Sequence, residues 1–78
     1  MRWANYDIVE RTPQAVTLRD LGPWDKYLTI TNAAEEVVEN LSRLGIITEG
    51  QRLLYYDSGN ELTELLHKDG KFVGFKAP

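Results

Sequence analysis

A small α+β fold, with one helix packed on one face of a mostly antiparallel sheet, is what three features of this sequence predict. Residues 31–46 spell a single amphipathic helix with a start signal, an apolar stripe and a stop signal. Most of the remaining apolar residues fall in short runs with the period of two that belongs to strands. A lone helix of about three turns can bury its stripe only against a sheet. The predicted order is hairpin, strand, helix and three-stranded meander, and residues 1–78 read as one domain, since no repeat, low-complexity tract or linker interrupts them.

Tyr6–Arg11 and Ala15–Arg19 flank Thr12-Pro13-Gln14, where proline presets the backbone angle of a turn, so the chain opens with a hairpin. Val16 and Leu18 alternate with Ala15, Thr17 and Arg19, the pattern of a strand wet on one side. Asp20-Leu21-Gly22-Pro23-Trp24-Asp25-Lys26 is a loop carrying a Gly-Pro breaker and an indole. Trp24 there is open to two readings, burial over the sheet end or exposure as a contact residue. Tyr27-Leu28-Thr29-Ile30 alternates again and leads into the helix.

Thr31 or Asn32 can cap that helix, and with Asn32 as N-cap, Glu35 falls at the third position and completes a variant capping box. Ala34, Val37, Val38, Leu41 and Leu44 follow at helical spacing as the buried stripe. Gly45 is placed for a left-handed C-terminal cap, with Ile46 folding back onto Leu41.

Three strands follow: Gln51–Tyr56, Glu61–Lys68 and Lys71–Lys76. Asp69-Gly70 is the strongest hairpin signal in the chain and pairs Lys68 with Lys71, His67 with Phe72, Leu66 with Val73 and Glu64 with Phe75. Gly74 interrupts the last strand and signals a bulge or an aromatic packed over it. A four-residue loop over Asp57–Asn60 would pair Tyr56 with Glu61. These registers send Leu53, Tyr55, Leu62, Leu66, Val73 and Phe75 to the helix, and Leu54, Tyr56, Leu65, His67 and Phe72 to the other face. That second face is too apolar for a solvated one, so a cover is expected, either a partner or the N-terminal segment with Trp3 and Tyr6.

The order of hairpin, helix and further strands, with Gln51-Arg52-Leu53-Leu54-Tyr55 as the post-helix strand, resembles the layout of ubiquitin-like β-grasp domains. The likeness covers the order of elements only. The extra strand at 27–30, the Asp-Gly hairpin before the last strand and a tail without diglycine depart from it, and the tail argues against protein conjugation.

Composition narrows the function classes. With 78 residues, such a chain buries only about 60–65% of its unfolded surface, so stability is modest and oligomerisation would add to it. There is no cysteine, hence no disulfide or thiolate site. The polar opening Met1–Asp7 predicts neither a secretory signal nor a membrane span, and a cytoplasmic location is the expectation. Net charge is −3, and the imbalance sits in residues 31–50, where Glu35, Glu36, Glu39 and Glu49 face Arg43 alone. Acid near a helix start complements its dipole, and the face could also attract a basic partner. No window clusters Lys and Arg, so nucleic acid is not an expected partner.

Catalytic candidates are few. His67 is the only histidine and reads as a half-exposed strand residue rather than a general base. Asp57, Ser58, Asn60 and Glu61 lack the spacing of a calcium loop and are turn-forming types. The six glycines are dispersed, so no phosphate loop exists, and the glycosylation match Asn40-Leu41-Ser42 lies inside the helix. No catalytic residue, cofactor or metal is expected.

Aromatic residues are the best lead, because they favour interface cores. The sequence therefore predicts a non-catalytic protein–protein interaction module, its surface formed by Leu54, Tyr56, Leu65, Phe72 and Trp24, with a homodimer through the face opposite the helix as one form of that contact. A small ligand-binding or enzymatic site near Trp24, using Asp25, Tyr55 or His67, is the alternative. Single-stranded nucleic-acid binding through Tyr55, Tyr56 and Phe72 ranks below it for want of a basic frame.

Overall fold

The computed structural model describes residues 6–21, 34–57 and 59–76. Along them run β1 (Tyr6–Arg11), β2 (Ala15–Asp20), α1 (Ala34–Arg43), β3 (Arg52–Tyr56), β4 (Leu62–Lys68) and β5 (Lys71–Lys76). One helix packs against a five-stranded, mostly antiparallel sheet, the α+β class expected from the sequence. The strand expected at 27–30, the caps Thr31 and Asn32, and Trp3, Trp24 and Asp25 lie outside the described residues.

The strands lie in the sheet in chain order, β1-β2-β3-β4-β5. Every neighbouring pair is antiparallel except β2 and β3, which run parallel with Val16 beside Leu53 and Leu18 beside Tyr55. Parallel neighbours cannot be joined by a tight turn, and the connection between these two carries α1.

The first turn joins β1 to β2 as an antiparallel hairpin and is held by Thr12. The Thr12 amide donates to the Ala15 carbonyl at 2.8 Å, while the Ala15 amide donates to Thr12 Oγ1 at 3.0 Å. A bulge forms in β1, where Val9 is the extra residue between the Ile8–Leu18 and Glu10–Thr17 pairs.

Ala34, Val37, Val38 and Leu41 of α1 are buried, as their spacing requires. The helix ends in a Schellman cap: Gly45 is left-handed (φ 76°), its amide donates to the Ser42 carbonyl at 3.0 Å, and the Ile46 amide donates to the Leu41 carbonyl at 2.8 Å. Leu44 departs from the expected stripe. It follows the last helical residue, where the chain is already turning, and is 67% exposed.

The core joins those helix residues to Val16, Leu18, Leu53, Tyr55, Leu65 and Ile47, with Tyr6, Ile8, Ile46 and Phe72 packed at its margin. Two of these correct the sequence reading. Leu65 was expected on the face away from the helix, but it is fully buried and pairs with Leu53. Phe72 was expected there too, yet it packs on the core.

The cause is a one-residue slip between β3 and β4. Asp57, not Tyr56, opposes Glu61: the Asp57 amide donates to the Glu61 carbonyl at 3.0 Å, and the Glu61 amide donates to Asp57 Oδ1 at 2.9 Å. Asn60 takes the left-handed conformation (φ 68°) that this tighter loop needs. Tyr56 therefore pairs with Leu62, and because side chains alternate, the slip turns every β4 residue to the face opposite the one expected.

The Asp69-Gly70 turn forms as expected, both residues having positive φ (55° and 78°), with Lys68 opposite Lys71 and His67 opposite Phe72. Beyond it, a bulge makes Val73 the extra residue, so Leu66 pairs with Gly74 and Leu65 with Phe75, in place of the expected Leu66–Val73 and Glu64–Phe75 pairs. Regular alternation would part Phe72 from Phe75. The bulge puts them on one face, edge to face with ring centroids 4.9 Å apart.

Candidate interaction surface

Strand alternation fixes what the sheet shows on the side away from α1. From β2 come Thr17 and Arg19, from β3 Arg52, Leu54 and Tyr56, from β4 Leu62, Glu64, Leu66 and Lys68, and from β5 Gly74 and Lys76. Leu54 lies opposite Glu64 and Tyr56 opposite Leu62. Leu54, Tyr56, Leu62 and Leu66 are half-buried, and together they form an apolar row across the two strands. None of the described elements lies over them.

Polar contacts fix both ends of this row. Arg19 stacks over the Tyr56 ring, its guanidinium carbon 5.2 Å from the centroid, and donates to Asn60 Oδ1 at 2.9 Å. Arg52 grips Glu64 with two nitrogens, Nη2 to Oε1 at 2.9 Å and Nε to Oε2 at 3.3 Å. The bond from Arg52, helped by its charge and those of Lys76 and His67, holds the Glu64 carboxyl below its ordinary range against the opposing effect of burial. Glu64 is thus an ionised group in the middle of an apolar row.

Of the five residues expected to form the surface, Leu54 and Tyr56 lie on this face together. Leu65 and Phe72 are on the helix side, and Trp24 is outside the described residues. Tyr6, a proposed cover for the face, instead pairs with Asp20 and packs on the core. Sequence reasoning missed Leu62 and Leu66 as members. The signal that finds them is the Asp57 side chain capping its own loop with a left-handed Asn60.

Of the residues considered for a cleft, Trp24 and Asp25 lie outside the described residues, and Tyr55 and His67 do not meet. Tyr55 is fully buried, its phenol pushed above its ordinary value by burial first, then by hydrogen bonding toward Asp20 and by the charges of Asp20 and Asp57. His67 lies four residues further back along the paired strands, opposite Gln51, about 13 Å away by strand rise. Its Nε2 is 2.6 Å from the Gln51 carbonyl, so that nitrogen carries the proton. A depression of about 200 Å³ beside Gln51, Arg52, Glu64 and His67 falls short of the roughly 300 Å³ at which small-molecule sites begin. Among the described residues no group of three His, Cys, Asp or Glu is placed to hold a metal ion, and no helix is long and apolar enough to cross a membrane.

No family model, curated protein or solved structure matches this chain.

Proposed function

We propose that this chain is a non-catalytic protein–protein interaction module that works through the sheet face opposite α1. The observation that supports it most is the row Tyr56, Leu62, Leu54 and Leu66, apolar where a wetted sheet face is usually polar. Aromatic and arginine side chains held rigidly beside apolar ones are the kind of anchor that protein interfaces use, and Tyr56 under Arg19 is such a pair. The cytoplasmic location expected from the sequence is kept as part of this reading.

The nucleic-acid reading loses ground for a specific reason. Of its three stacking platforms, Tyr55 is buried and Phe72 is on the helix side, which leaves Tyr56 alone.

A photo-crosslinking residue placed at Leu66 tests the proposal, with the same residue at exposed Thr48 as control. Protein adducts formed from position 66, absent from position 48 and lost when Tyr56→Asp is added, are the expected result. Equal labelling from both positions, or labelling unaffected by Tyr56→Asp, would sink it.

A further inference from the structure

Charge divides between the two layers of this molecule. Arg19, Arg52, Lys68 and Lys76 project on the sheet face, where the acid is Glu64, already held by Arg52, and the edge-strand residues Asp7 and Glu10. No ion pair among the described residues occupies Lys68 or Lys76. On the other layer, α1 carries Glu35, Glu36 and Glu39, and its one basic residue, Arg43, is turned onto Asn40 Oδ1 at 2.8 Å. Leu44, exposed just past the last helical residue, adds an apolar tip to this acidic surface.

We infer that the sheet face of one copy receives the acidic helix surface of a second copy, in a head-to-tail contact. This rests on reading the sheet face as a docking surface, and it names the occupant. Both halves of the complementarity belong to this chain: cations around an apolar row on one side, carboxylates beside an exposed leucine on the other. The sizes agree as well. Five strands at their usual spacing make a face about 20 Å across, and ten helical residues span about 15 Å.

Two competing modes of self-association are disfavoured by the same residues. A two-fold contact of sheet face on sheet face would bring two copies of the same cation-bearing surface together and leave the helix carboxylates unused. Addition of strands at the edges meets a bulge in β1 at Val9 and another in β5 at Val73, with Lys71 and Lys76 at the ends of β5. A head-to-tail contact uses two different patches, so it does not close at a dimer and extends to longer chains or a ring.

Sedimentation of the full chain over a concentration series tests this. The expected result in low salt is an average mass that keeps rising past twice that of the monomer, and a return to the monomer in about 0.5 M salt, where the screening length is only a few ångströms. Two variants then each lose one patch: Glu36→Lys with Glu39→Lys on the helix, and Tyr56→Asp on the sheet. All three positions reach solvent, and circular dichroism checks that each variant is folded. Each alone should stay monomeric, and an equal mixture should form a one-to-one pair and nothing larger, because one intact sheet face and one intact helix remain.

A mass that levels off at the dimer and ignores the helix substitutions would overturn the inference in favour of a two-fold contact. A monomer at high concentration in low salt would overturn it too. In that case adducts from position 66 with a different protein would leave the docking surface standing while removing the second copy as its occupant.

Discussion

Leu65 and Leu66 are chain neighbours on opposite faces of β4, so truncating each in turn weighs the two sides of the sheet directly. Leu65 is fully buried between Leu53 and the helix stripe. Leu65→Ala therefore removes a complete core side chain and leaves a cavity, at a cost of about 2–5 kcal/mol. Leu66 is only half-buried, and Leu66→Ala should cost about 1 kcal/mol. Chains of this size hold about 4–12 kcal/mol in all, and each kcal/mol moves the melting temperature by about 4–8 °C. The first variant should lose at least 8 °C or so, the second only a few degrees. Urea unfolding followed by circular dichroism reads the difference as a shift in midpoint. Equal losses, or a larger one for Leu66→Ala, would refute the observed Leu53–Leu65 register and favour the one-residue slip that exchanges the faces.

Other perturbations have equally definite outcomes. Gly74 has φ 155° with nothing near its missing side chain, so Gly74→Ala should cost about 1 kcal/mol through the backbone alone, and Gly59→Ala, at a position without positive φ, should cost less; equal urea midpoints would argue against the β5 bulge. Leu41→Ala in the stripe should unfold more readily in urea than Leu44→Ala just past it, and similar melting would mean the helix does not end where its cap places it. Because Arg52 lowers the Glu64 pKa, the folded state gives up this proton more easily than the unfolded one. The stability it contributes is full above the ordinary value of 4.5 and is lost as pH falls through the lowered one. Glu64→Gln should flatten that part of the acid loss, and an unchanged acid slope would show the pair to be inert.

Much of this fold was legible because its signals are local. Gly45 requires a left-handed residue, Asp69-Gly70 requires two, and Val37, Val38 and Leu41 repeat at the helical period; each can be read within a few residues. The candidate surface was only half legible because faces in a sheet depend on register, and register depends on loop geometry. Asp57-Ser58-Gly59-Asn60 suits loops of three or four residues, and the choice rests on whether the Asp57 carboxylate or a strand carbonyl answers the Glu61 amide. One residue of slip removed Leu65, His67 and Phe72 from the far face and brought in Leu62 and Leu66. Phe75 stayed on the helix side as expected only because the Val73 bulge reversed the slip once more.

The parallel pairing of β2 and β3 turns a local imbalance of charge into a property of the whole molecule. In sequence, four glutamates between residues 31 and 50 are an acidic stretch within a chain whose flanking thirds are each balanced. Had β2 and β3 been antiparallel neighbours, a short turn could have joined them and a helix there would have had no obligatory side. With the two strands parallel, the connection must pass over the sheet, and α1 comes down on the face of Val16, Leu18, Leu53 and Tyr55. Its carboxylates are thereby carried to one side. On the other side, Arg19, Arg52, Lys68 and Lys76 come from four different strands and share a face only through strand register. No window of the sequence contains all four, so their common face is visible only in the assembled sheet. The docking surface proposed here would be a product of topology, and substitutions that shift register should erase it without touching any of its charged residues.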